Sequence, residues 1–262
     1  MTQFSTIRLE IDDRGIATLT LWRPDKHNAL NAVMMEELTE AANALSAMAQ
    51  VRAVILAGEG ASFCAGGDLG WMQETAAKDR AGKMAGSLTL AKMLKALDDL
   101  PKLLVAQVHG PAYGGGVGMM CVADVVIASE TAKFALTETR LGLIPATIGP
   151  YVVRRLGEGA ARQVFIHAPL ITPTKALQIG LVSSVVATTD LNEAVEQEVA
   201  AALKCAPEAA AQAKSLAKSL ARGAWNDPLQ QTAGLLADRW ESHEAKAGIS
   251  AFFAKKRPPW AN

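Results

Sequence analysis

Two stretches near the N-terminus, Ile7 to Ile11 and Ile16 to Trp22, alternate apolar and polar residues in the period of a β-strand, and Asp12-Asp-Arg-Gly15 between them has turn chemistry. The chain is therefore expected to open as a hairpin. It leads into a polar loop, Arg23-Pro-Asp-Lys-His-Asn28, after which Asn31 is placed to cap a helix over Ala32 to Met48 with apolar residues at helical spacing. Val51 to Ala57 reads as a buried strand. Beyond the glycine-bearing loop Gly58 to Asp68, the segment Ala76 to Arg80 lacks a strong apolar face, the character of a mobile piece of chain beside a binding site. A helix over Ser87 to Leu97 follows, then a strand over Leu103 to Val108, a glycine run, an apolar stretch from Val117 to Val122 and a strand at Asp124 to Ala128. Strands alternating with helices predict an α/β fold.

From Thr172 onward the spacing turns helical. Helices are expected from Pro173, over Leu191 to Leu203, over Pro207 to Arg222 and over Pro228 to Ser242, with a last segment Gly248 to Trp260. No repeat, low-complexity tract or linker separates this half, so it reads as a helical subdomain.

The 262 residues, 50% apolar and 20% charged, suffice for one large domain with a substantial core. A net charge of zero provides no basic field, so neither nucleic acid nor an anionic membrane is an expected partner. Cys64, Cys121 and Cys205 lie far apart without a C-x-x-C pair and read as reduced core thiols. The N-terminus has no signal-peptide or transit-peptide character, and no apolar run reaches membrane-spanning length. The compartment reads as cytoplasmic.

The candidate chemistry lies in His109-Gly-Pro-Ala-Tyr-Gly-Gly-Gly-Val-Gly118 and, about twenty residues on, Phe134-Ala-Leu-Thr-Glu-Thr-Arg-Leu-Gly-Leu-Ile-Pro145. Consecutive glycines let a ligand approach main-chain N–H groups, and a helix starting there would favour negative charge. A second loop, Phe63-Cys-Ala-Gly-Gly-Asp68, follows a different strand, and two such loops can each supply one N–H to one oxygen. The alternative is that both glycine sets only permit turns. The glycines fit neither G-x-G-x-x-G nor the P-loop, and Gly60-Ala-Ser-Phe-Cys64 lacks the second glycine of a nucleophile elbow. His27, His109, His167 and His243 have no metal-ligand spacing, so no metal is expected, and His109 reads as a packed residue. Asp68 is placed to cap the helix after it, and Asp124 to fix loop geometry.

Five ordered motifs resemble the crotonase superfamily, the enoyl-CoA hydratases and isomerases. They are Arg23-Pro-Asp-Lys-His-Asn-Ala-Leu-Asn31, Ser62-Phe-Cys-Ala-Gly-Gly-Asp-Leu69, Gly110-Pro-Ala-Tyr-Gly-Gly-Gly116 with Asp124, Ala132-Lys-Phe-Ala-Leu-Thr-Glu-Thr-Arg-Leu-Gly142, and Phe252-Phe-Ala-Lys-Lys-Arg-Pro258. The resemblance implies a spiral of repeating ββα units over residues 1–195, a helical region over 196–262 that builds trimers or hexamers, and an acyl-CoA ligand with no separate cofactor. It places an oxyanion hole on the N–H groups of Gly67 and Gly115. Lys26, Ala29, Ala65 and Leu69 match positions that hold the CoA nucleotide and pantetheine. Phe252 and Lys255 match adenine and phosphate contacts, supplied from a neighbouring subunit, although Lys255-Lys-Arg257 taken alone reads equally as a solvated tail. Trp71, Met72, Leu141 and Ile144 are candidates for the acyl pocket.

The chain departs from the two-glutamate hydratase pattern. Glu138 occupies the second acid position, but the first is Gly118. One carboxylate is enough to move a double bond, and it could also activate water for hydration while the oxyanion hole carries most of the stabilisation. A non-catalytic acyl-CoA-binding protein is the reading from another class. The words around Gly114 and Glu138 look like the bacterial branch assigned to methylglutaconyl-CoA hydratases. A second substrate carboxylate would want a cation, for which Arg140, Arg154 and Arg155 are candidates.

Overall fold

The computed structural model describes residues 4–223 and 225–261. β1 (Ile7–Ile11) and β2 (Ile16–Leu21) form the expected antiparallel hairpin. The Asp12 carboxylate accepts the Arg14 and Ile16 N–H groups in its turn. α1 (Ala32–Ala47) is capped by Asn31, whose side chain accepts the Met34 N–H at 2.9 Å, and it buries Met34, Leu38, Ala41 and Leu45. β3 (Ala53–Gly58) then runs parallel to β2, with Val51 buried just ahead of it.

Residues 76–80 are not a loop. α2 (Leu69–Ala77) and α3 (Arg80–Asp98) meet there, and the Asp79 side chain caps α3 by accepting the Gly82 N–H at 2.8 Å. α3 therefore starts two turns before the expected Ser87. Its first turns have little apolar periodicity because the buried residues, Met93, Leu94, Leu97 and Asp98, lie only at its far end. The capping residue fixes the start.

β4 (Leu103–Val108), β5 (Ala112–Tyr113), α4 (Gly115–Val122), β6 (Val125–Ser129) and β7 (Phe134–Ala135) follow. Sequence periodicity missed α5 (Gly149–His167). Gly157, at φ 75°, bends it, and Gly149, Val152, Ala161 and Val164 are its buried residues, too sparse for an obvious stripe. After α6 (Pro173–Gln178) comes β8 (Ser184–Val186), also missed because it is three half-buried residues long. α7 (Leu191–Leu203), α8 (Pro207–Arg222) and α9 (Pro228–Glu241) match the expected spans to within a residue, and α10 (His243–Phe253) begins before the segment read from sequence.

The main sheet has the order β1-β2-β3-β4-β6-β8, parallel beyond the first pair. Both faces are covered, which is why its strands read as nearly continuous apolar runs. One face, with Val54, Leu56 and Leu104, packs under α1, α3 and α4. The other, with Ala53, Val105 and Ile127, packs under Leu191, Val195 and Val199 of α7. A smaller layer pairs β5 with β7, and single bridges join Leu30 to Gly67, Cys64 to Ala112 and Phe134 to Ile171. These short pairings gather the functional loops. Cys64 and Cys121 are buried thiols as expected, but Cys205 is exposed, because it follows the last turn of α7 rather than lying on an inward face.

Candidate active site

α4 begins where backbone meets backbone. Gly114, at φ 46° and ψ −113°, holds a conformation that L side chains rarely adopt, and its N–H donates to Ala135 O at 3.0 Å while Tyr113 N–H donates to Cys64 O at 2.9 Å. A methyl group on Gly116 would lie 2.8 Å from Cys64 O, so the helix start abuts the loop at 63–68 directly. Gly115 is the first helical residue, and its N–H therefore precedes the helix's own hydrogen bonds. In the facing loop Gly66 has φ 93°, Leu30 N–H donates to Gly66 O at 2.7 Å, and Asp68 N–H donates to Leu30 O at 2.9 Å. Among the described residues no loop bond uses the Gly67 N–H. The expected pair of oxygen-binding donors thus lies on two loops in mutual contact.

Glu138 opens a 3-10 turn, Glu138–Leu141, just after β7, and the β5–β7 pairing carries it to the start of α4. Its Oε1 lies 3.4 Å from where a Cβ on Gly114 would sit. Its Oε2 is buried without a hydrogen-bond partner. Burial pushes this carboxyl above its ordinary pKa, an effect only partly offset by a backbone hydrogen bond. A buried carboxylate oxygen left unpaired costs stability, and such a cost is characteristic of a group kept for chemistry.

One helical turn from Gly114, Gly118 faces Ile148. A methyl group on Gly118 would lie 2.6 Å from Ile148 Cγ2 and 3.5 Å from Leu94 Cδ2, so the volume of a side chain at 118 is already filled with hydrocarbon. Near the other donor, a methyl on Gly67 would touch Met72 Sδ at 3.2 Å and Trp71 at 3.8 Å. Gly115 has Leu30 and Leu90 as its nearest side chains. Trp71 and Met72, expected in the acyl pocket, therefore stand beside Gly67. Leu30, Leu90, Leu94 and Ile148 were missed, and α3's spacing of Leu90 and Leu94 was the available signal. Leu141 and Ile144 are 62% and 73% exposed, so in the protomer they lie outside any closed pocket, since the turn after Glu138 points away from the core.

The loop proposed to hold CoA is latched to the glycine loop. His27 and Asn28 adopt φ near 50°, Ala65 N–H donates to His27 O at 2.9 Å, and buried Asn28 donates through Nδ2 to Glu59 O and Ser62 O, both at 2.8 Å. Ala29 N–H donates to Lys26 O at 3.0 Å, and Lys26 and Leu69 are exposed at the rim. Phe252 and Lys255 lie at the end of α10, and among the described residues no hydrogen bond or ion pair joins them to 26–69.

The candidate cations for a second substrate carboxylate are engaged elsewhere. Arg140 donates to Ala168 O, Arg154 pairs with Asp98, and Arg155 donates to Leu181 O and Ala123 O. His27 Nδ1 lies 3.1 Å from Ser62 Oγ and His109 Nε2 2.8 Å from Gly60 O, both loop-fixing contacts. Asp68 caps α2, and Asp124 accepts the Leu104 N–H and pairs with Lys214. No group of three His, Cys, Asp or Glu among the described residues could hold a metal ion, and no helix there is long and apolar enough to cross a membrane. Two free N–H groups, one buried carboxylate and hydrocarbon walls can stabilise negative charge on one oxygen and move a proton nearby.

Comparison with known proteins finds relatives over most of the chain. The sequence pattern of a family described as enoyl-CoA hydratase/isomerase matches residues 12–262. A solved structure of an enoyl-CoA hydratase from Shewanella pealeana is 35% identical, covers 98% of this chain and 97% of its own, and superposes with a TM-score of 0.95. One from Mycobacterium smegmatis is 31% identical over 98% of this chain and 100% of its own, with a TM-score of 0.89. Enoyl-CoA hydratase ACTT6 of Alternaria alternata is 34% identical over 76% of this chain, which spans 65% of that protein's length.

Proposed function

The chain belongs to the enoyl-CoA hydratase/isomerase family and has the crotonase fold, and from that premise we propose that it adds water to the double bond of a 2-enoyl-CoA. The thioester oxygen would sit between the Gly67 and Gly115 N–H groups, which stabilise the enolate as negative charge moves onto that oxygen. Glu138 would take a proton from water as the new C–O bond forms and return a proton to the enolate carbon. The single observation that carries this reading is the Glu138 carboxyl, with Oε2 buried and unpartnered and Oε1 beside the start of α4. It also counts against a protein that only binds acyl-CoA. The reaction needs no cofactor beyond the CoA that the substrate carries.

The packing of Ile148 against Gly118 favours a second reading, isomerisation, in which Glu138 moves one proton between two carbons along a dry wall. Loss of the conjugated thioester absorbance of crotonyl-CoA, dependent on Glu138, would select hydration. Appearance of that absorbance from a 3-enoyl-CoA without loss from crotonyl-CoA would select isomerisation.

The finer proposal, methylglutaconyl-CoA as substrate, rests on the two motifs around Gly114 and Glu138, and it requires Arg140, Arg154 or Arg155 to change partners. A higher kcat/KM for methylglutaconyl-CoA than for crotonyl-CoA would support it. Self-association into trimers or hexamers belongs to the same proposal. It is supported by the exposed Leu229, Leu236, Trp240, Phe252 and Phe253 of α9 and α10, and a scattering mass equal to one chain would sink it. A cytoplasmic location is part of the proposal too, supported by the unpaired Cys64 and Cys121.

A further inference from the structure

Gly114, the N-cap residue of α4, and Gly118 are joined across the first turn, Gly118 N–H donating to Gly114 O at 3.0 Å. At Gly114 the nearest heavy atom to a Cβ position is the Glu138 carboxylate oxygen, and at Gly118 it is the Ile148 Cγ2 methyl, with Leu94 behind it. Four residues of a helix advance about 6 Å along its axis. Gly115, whose N–H would hold the thioester oxygen, lies between Gly114 and Gly118 in sequence. An acyl chain anchored at Gly115 and passing Glu138 toward Gly118 therefore reaches Ile148 and Leu94 after about four to five carbons, the length of that roughly 6 Å turn.

We propose that Ile148 is a specificity-determining residue that closes the acyl channel over Gly118 and limits how far the acyl chain extends there. This deepens the acyl-CoA reading of the site and rests on it. Ile148 is 3% exposed and forms the N-cap position of α5. It is held by the helix start at Gly149, which packs against Phe165. Its methyl fills the volume that any side chain at 118 would need, so Gly118 and Ile148 act as a matched pair. The groups that meet the space over Gly118 are the hydrocarbon side chains of Ile148 and Leu94.

The test compares butyryl-CoA and hexanoyl-CoA binding by calorimetry for the full-length wild type and Ile148→Ala, alongside crotonyl-CoA turnover. Saturated thioesters report the channel without requiring a reaction. In the wild type, butyryl-CoA should bind about tenfold tighter than hexanoyl-CoA or better, and Ile148→Ala should abolish or reverse that preference. An unchanged preference in a variant that still binds butyryl-CoA overturns the proposal. So does a wild type that binds both equally. Selective binding without turnover would sink the hydration reading and leave Ile148 as proposed, whereas turnover with no chain-length effect does the converse. No binding of either thioester overturns both. As a check on the contact itself, Gly118→Ala should weaken butyryl-CoA binding, and adding Ile148→Ala should restore part of it. Absence of that rescue also counts against the pairing.

Discussion

The Arg23 guanidinium pairs with the Asp68 carboxylate at 3.0 Å while Asp68 accepts the Trp71 N–H at 3.1 Å, so one side chain joins the loop after β2 to the first turn of α2. Arg23 also donates to Ala29 O at 2.6 Å. Gly67 immediately precedes Asp68, and its N–H direction is therefore set by this clamp. Asp68→Ala should cost about 1 kcal/mol as a lost helix cap. Its effect on turnover of crotonyl-CoA should be larger, about tenfold in kcat, because the N–H proposed to hold the thioester oxygen loses its support. Kinetics and thermal unfolding on one preparation check this. A stability loss with kcat intact would show that the clamp does not hold Gly67.

Glu138 gives a prediction in which activity and stability move in opposite directions. Burial raises its pKa, so the form active as a base is reached only above the ordinary carboxylate range, and the acid limb of kcat/KM should be displaced upward accordingly. Glu138→Gln should reduce kcat by about 100-fold or more. For stability, a carboxyl with a raised folded pKa penalises the native state above that pKa, and the penalty disappears once both folded and unfolded states are protonated. Glu138→Gln should therefore melt higher than wild type at pH 7, with the gain shrinking as the pH falls toward about 4. A variant less stable at pH 7 would mean that the carboxylate has a partner holding it in place.

Gly116 should tolerate no side chain, for a reason different from Gly118. Its methyl would meet the Cys64 carbonyl oxygen, which is backbone fixed in the loop of the first donor, whereas a methyl on Gly118 meets the movable side chain of Ile148. Gly116→Ala should destabilise by about 1–3 kcal/mol, measured in denaturant. Ile148→Ala should not relieve it, although it relieves Gly118→Ala. Equal rescue at both positions would mean that α4 shifts as a unit.

These contrasts mark what the sequence made legible. The hairpin, α1, β4 and α7 to α9 were readable because strong alternation or helical spacing coincides with turn or cap residues such as Asp12 and Asn31. Glu138, Gly67 and Gly115 stood out as candidates because each lies in a local word, and the β5–β7 and Cys64–Ala112 pairings bring those words together. Gly118 was visible as an absence, but its filling by Ile148, thirty residues on, is a tertiary contact with no local signature. α3 was shortened because its first turns are exposed and only Asp79 marks their start. The exposure of Leu141 and Ile144 follows from the direction of a 3-10 turn, which apolar character alone does not reveal.

Asp98, 4% exposed at the end of α3, receives Arg154 from α5 and Lys218 from α8, the latter at 2.7 Å. Burial alone would push its carboxyl up, but the hydrogen bonds from Arg154 and Lys218 prevail and hold it below the ordinary value. A depressed folded pKa contributes stability at pH values above the unfolded pKa of about 3.9, and that contribution is lost as the pH falls toward the folded value. Asp98→Asn should thus be less stable than wild type at neutral pH, and the two should converge below about pH 4. Asp98→Ala should cost more, about 3 kcal/mol, because it strands Arg154 in a half-buried position, while Lys218 keeps Asp99 at 2.9 Å. Arg154→Met added to Asp98→Ala should recover part of that loss, since the stranded charge goes with it. Because α3 carries Leu94 behind Ile148 and α5 begins at Ile148, loosening this ion group should also blur the chain-length preference of acyl-CoA binding. If stability falls and that preference stays intact, the channel is set by local packing at Ile148 alone.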